Sequence, residues 1–102
     1  RSMSSQLLDS AALTATRVLE TIRKKNGDYA AAGDPYRNFK ASEILGLRAE
    51  KAILVRALDK MVRISNLLDH DAFVTNESME DSIDDIIGYM YILRGYRESL
   101  EG

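Results

Sequence analysis

Apolar positions recur every three to four residues over three long stretches of the chain, a period that predicts three helices. The first runs from about Ser5 to Lys25, with Leu7, Leu8, Ala11, Ala15, Val18, Leu19 and Ile22 as its stripe. Arg23, Lys24 and Lys25 suit the negative end of its dipole, and Asn26-Gly27 supplies a stop. The second runs from about Arg48 to Leu68. Its core face reads as Leu54, Val55, Leu58, Met61, Val62 and Leu68, widened by Ile53, Ala57 and Ile64. The third is capped by Thr75 or Asn76 and runs to about Ser99. Met79, Ile83, Ile86, Ile87, Met90 and Leu93 form its stripe. Residues 27 to 41 and 69 to 76 read as connections, and Ser42 caps a short helical turn that Gly46 ends. The expected fold is all-α, three long helices plus that short turn, in a single domain spanning 3–102. Arg1-Ser2 reads as a cloning remnant ahead of a native start at Met3.

The third helix carries a second stripe. Glu77, Asp81 and Asp85 are each four apart and stack along one face, with Asp84 beside them. Like charges at that spacing repel by roughly 0.2–0.5 kcal/mol per pair. A cation is therefore expected against this face, either a metal ion or Lys/Arg from another helix. Gly88 leaves a bare patch next to the acids, at about 1 kcal/mol relative to alanine. Close approach by a ligand or a neighbouring helix would account for it. Gly95 marks fraying or another close contact.

Composition narrows the class. The 102 residues are 45% hydrophobic and 29% charged, with a net charge of −2, so no basic field argues for nucleic-acid binding. The absence of cysteine excludes disulfides, thiolate catalysis and sulfur-ligated zinc. The apolar runs fall far short of the ~20 residues that span a bilayer, and no signal peptide is visible, so a cytoplasmic protein without membrane contact is expected. A three-helix domain this small gains from association, which predicts a homodimer or higher homo-oligomer with shared four-helix packing.

Two regions carry candidate chemistry. The first connection places Tyr29, Tyr36 and Phe39 among Asp28, Arg37, Asn38 and Lys40. Such a group either holds a base by stacking and hydrogen bonds or is pinned to the core by its aromatics. On the second helix, Arg56, Asp59, Lys60 and Arg63 form a mostly basic stripe. It is either a solvated face or a phosphate clamp. It either pairs directly with the acidic stripe or flanks one polyphosphate with it. His70, the single histidine, reads as a surface residue.

The order Lys25-Asn26-Gly27-Asp28-Tyr29, Asn38-Phe39, Asp59-Lys60-Met61-Val62-Arg63 and Asn76-Glu77-Ser78 with Asp81, Asp85 and Tyr89 resembles a phage and bacterial family. This is the nucleotide modification associated domain, related to the MazG-like all-α nucleotide pyrophosphohydrolases. The resemblance covers about Lys25 to Leu93 and implies an oligomeric helical bundle in the cytoplasm of a bacterial or phage-infected cell. It implies Glu77 and Asp81 as catalytic carboxylates and Glu77, Asp81 and Asp85 as ligands of Mg²⁺. It implies Lys60, Arg63 and Arg56 on phosphate, and Lys25, Asp28, Tyr29, Asn38, Phe39 and Tyr89 around the rest of the nucleotide. MazG-like enzymes carry Glu-x-x-Glu on the preceding helix; here that helix offers only Glu50 and Asp59, nine apart. Three functions follow as expectations: a Mg²⁺-dependent nucleotide pyrophosphohydrolase, a nucleotide-binding protein without turnover, or a structural helical oligomer.

Overall fold

The computed structural model describes residues 1–29, 33–70 and 76–102, and gives Asp28, Tyr29, Asn76 and Glu77 as backbone only. Every described element is helical. They are α1 (Met3–Tyr29), α2 (Arg37–Lys40), a 3₁₀ turn (Ala41–Leu45), α3 (Ala49–Asp69) and α4 (Asn76–Glu101). No helix among the described residues is long and apolar enough to cross a membrane.

The boundaries of α3 and α4 follow the sequence pattern closely. Arg48 precedes α3 with an extended ψ of 143°, and Glu50 places an acid in the first turn. Two expectations are corrected. Gly27 does not stop α1, which continues to Tyr29. Glycine permits a left-handed backbone without requiring one, and Gly33 and Gly46 are the glycines with positive φ. The short helical structure also begins earlier than Ser42. The Asp34 carboxylate accepts from the Tyr36 backbone N–H at 2.8 Å and from Lys40 Nζ at 2.7 Å, closing a turn into α2. These two donors hold the Asp34 carboxyl below its ordinary value. Ser42 instead donates its hydroxyl to the carbonyls of Phe39 (2.5 Å) and Leu47 (2.9 Å). Gly46 ends the 3₁₀ turn in the left-handed conformation, as expected.

Helices α3 and α4 form the centre and run antiparallel. Glu50 meets Arg97 at 3.4 Å and Lys60 meets Asp85 at 3.0 Å, so rising numbers on α3 face falling numbers on α4. The buried positions of α3 are Ala49, Ile53 and Ala57, each four apart, which is one ridge of a helix surface. Opposite them lie buried Ser82 and Tyr96. The Ser82 hydroxyl is satisfied by the Ser78 carbonyl at 2.9 Å. Tyr36, Phe39, Tyr89, Ile92 and Leu93 pack around the cluster of Ala49, Ile53 and Tyr96. The core face read from the sequence is therefore displaced. Leu54, Val55, Leu58, Met61, Val62 and Leu68 are exposed, and the row taken as its margin is the core. The reason is size: two alanines on the Ile53 ridge let α4 approach closely, which a ridge of leucines would prevent.

Gly95 marks a close contact. A Cβ there would stand 2.8 Å from the Tyr36 hydroxyl. The Tyr36 ring meets Tyr96 edge-on at 5.3 Å and 72°, so glycine on α4 is what lets the α2 region dock. Helix α1 packs on α4 through Val18, its one buried residue among those described, and leaves Leu7, Leu8 and Leu19 exposed.

Candidate functional site

The site is built from four pieces of chain. α1 supplies Lys25, the start of α2 supplies Asn38 and Phe39, α3 supplies Lys60, and α4 supplies Asp85, Gly88 and Tyr89. Together they line a cleft of about 700 Å³, within the usual range for small-molecule sites. Phe39 and Tyr89 meet edge-to-face at 6.4 Å and 90°. Arg56 stands over the Phe39 ring at 6.0 Å, a cation–π contact.

Two carboxylates on the acidic side of α4, Asp84 and Asp85, have cationic partners. The Arg17 guanidinium holds Asp84 with two bonds, Nε to Oδ2 at 2.6 Å and Nη2 to Oδ1 at 3.1 Å. That bidentate bond raises Arg17 above its already high ordinary value. Lys60 takes Asp85 at 3.0 Å. The direct pairing of basic and acidic stripes is thus present at one point. The larger contribution comes from Arg17, which the sequence offered no signal for: it is 67 residues from its partner and sits on a helix read for its apolar stripe.

Six of the residues singled out from sequence are brought to one place: Lys25, Asn38, Phe39, Lys60, Asp85 and Tyr89. Others are not. Arg56 is engaged with Phe39 and does not line the cleft. Arg63 is exposed and lies one turn beyond Lys60. The antiparallel register puts it level with Ser82 to Asp84, and it does not line the cleft. Asp81 is likewise exposed and forms no salt bridge. Glu50 is held by Arg48 and Arg97, away from the cleft. His70 is exposed at the end of α3. The side chains of Asp28, Tyr29 and Glu77 lie outside the described residues.

Mg²⁺ needs several oxygen ligands converging on one point. Among the described residues no three histidine, cysteine or carboxylate groups converge to hold a metal ion. Asp84 and Asp85 already have cationic partners, while Glu80 and Asp81 take no salt bridge among the described residues. The described side chains do not form a cage for Mg²⁺.

Gly88 lines the cleft, and the sequence expected a close approach there. A Cβ at Gly88 would lie 3.7 Å from Val18 Cγ1, an ordinary contact. Packing against α1 therefore does not demand glycine, and Gly88→Ala is expected to stabilise the protein by up to about 1 kcal/mol through helix propensity. Thermal unfolding checks this; a fall in Tm would show that α1 sits closer to α4 than Val18 implies.

No protein-family model, curated protein or solved structure matches the chain.

Proposed function

We propose that the chain, working as a homo-oligomer, binds a nucleotide in the cleft between α1, α2, α3 and α4. The supporting observation is that one cleft gathers an edge-to-face aromatic pair, an amide and two lysines from four separate segments. A base set against Phe39 and Tyr89 gains stacking worth about 1–3 kcal/mol. Asn38 supplies both a donor and an acceptor to a base edge. Lys60 exchanges Asp85 for a phosphate oxygen, and Lys25 on α1 lines the same cleft. Asp85, released from Lys60, accepts from a sugar hydroxyl or a water.

A second reading is Mg²⁺-dependent pyrophosphohydrolysis of a nucleoside triphosphate. Asp81 favours it, being exposed, free of salt bridges and one helical turn from Asp85. Arg63, one helical turn beyond Lys60 on α3, would then serve the far end of the phosphate chain.

A thermal-shift screen against nucleotides, with and without Mg²⁺, tests both readings. A ligand at 100 times its Kd adds about 2.7 kcal/mol, which raises Tm by roughly 10 °C or more in a domain of this size. Lys60→Ala removes one phosphate contact and leaves Asp85 facing the anion, so the shift is expected to be lost. Pyrophosphate release that needs Mg²⁺ and disappears in Asp81→Asn would establish the enzyme. Absence of any nucleotide-dependent shift would sink both readings.

A further inference from the structure

The large apolar stripe of α3 turns away from both α4 and the cleft. Leu54 is 48% exposed, Leu58 56%, Met61 49% and Leu68 59%. Their spacing of four, three and seven keeps them in one row. At about 100° per residue, the centre of the row is rotated about 115° from Lys60 and about 155° from Arg56, which face the Phe39 side. A row of this length and spacing is what one helix of a bundle presents to another.

The ends of the row identify the partner. Lys51 and Asp69 are 18 residues apart, five full turns, so they lie on the same side of α3 about 27 Å from one another. Both are exposed, and neither takes a salt bridge among the described residues. The row thus begins with a positive charge and ends with a negative one. A second copy laid antiparallel meets both ends with opposite charge, because a two-fold interface requires that if one residue meets another the reverse contact also forms. The midpoint of Lys51 and Asp69 is residue 60. About that point Leu58 stands level with Val62 of the second copy, and Leu54 stands level with its Asn66, between its Ser65 and Leu68.

The chain's proportions agree. Its radius of gyration is 15.9 Å, against about 13 Å for a compact domain of 100 residues. Its described core holds five apolar residues, three of them on α3. We infer that the outer stripe of α3 is a two-fold interface with α3 of a second copy, antiparallel and closed at each end by a Lys51–Asp69 pair between subunits. This specifies the homo-oligomer of the proposed function. It does not depend on the ligand, because the stripe faces away from the cleft and the test contains no nucleotide.

Sedimentation equilibrium of the full chain and its variants at low salt decides the matter. The unaltered chain is expected to be a dimer. Leu58→Glu should be monomeric with unchanged helical circular dichroism, since Leu58 is exposed within one chain. Lys51→Glu and Asp69→Lys each place like charges at both ends and should weaken the dimer by about tenfold. Mixing those two variants in equal amounts should restore it, because the heterodimer regains opposite charges at both ends. A monomeric unaltered chain, or a dimer that survives Leu58→Glu, overturns the interface. A mixture no tighter than either variant alone overturns the antiparallel register.

Discussion

Ile53→Ala is expected to destabilise the protein by about 2–5 kcal/mol, the range for truncating a fully buried isoleucine. Ile53 is 0% exposed and lies between Ala49 and Ala57 on the ridge that meets α4. The alanines above and below cannot rearrange to fill the hole, because neither has a rotatable side chain. Tyr96, Leu93 and Phe39 would have to shift instead, and their ring contacts oppose that. The loss falls on the packing of α3 against α4, the largest interface in the chain. Ile44, which is 88% exposed, gives the contrast: Ile44→Ala should change stability by less than about 0.5 kcal/mol. Chemical denaturation of both variants checks the pair. Equal effects would mean that the core does not lie on the Ile53 ridge.

Phe39→Ala is expected to act on stability and binding together. Phe39 is half-buried, so about 2 kcal/mol is a fair expectation against the ~3–5 kcal/mol of a fully buried ring. The edge-to-face contact with Tyr89 and the cation–π contact with Arg56 disappear with it. A fall in Tm of roughly 10 °C follows. Phe39→Leu separates the two roles. It refills most of the volume, so stability should largely return. It offers no π-face, so under the proposed function nucleotide binding should not return with it. Recovery of binding in Phe39→Leu would show that Phe39 serves the core alone and that the base sits elsewhere.

Much of the cleft was legible in the sequence. Asn38-Phe39 stood out as an aromatic beside an amide in a long connection, and Lys60 as part of a basic stripe. Asp85 and Gly88 stood out as an acid and a bare patch on one helix. The pattern also demanded cations against the acidic face, and two are there. Which cations could not be read. Lys60 belonged to a visible stripe, whereas Arg17 looked like an ordinary polar residue between apolar ones. Long-range ion pairs leave no periodic trace. The same limit applies to Arg56 and Arg63. They share a stripe with Lys60, but the register of α3 on α4 sends only Lys60 into the cleft.

What the sequence determined by itself is the all-α class, the extents of α3 and α4 to within a residue or two, and the turn at Gly46. These follow from period, from caps and from backbone conformations that few residues accept. What only the tertiary structure decided is which apolar stripe of α3 is the core. The chain offers two, and hydrophobicity favours the Leu54–Leu68 row. Packing chose the Ile53 ridge because small residues at Ala49 and Ala57 allow α4 and its tyrosines to come close. Periodicity reports that a face is apolar; how near another helix can approach depends on the shapes of both surfaces, which only the assembled structure brings together.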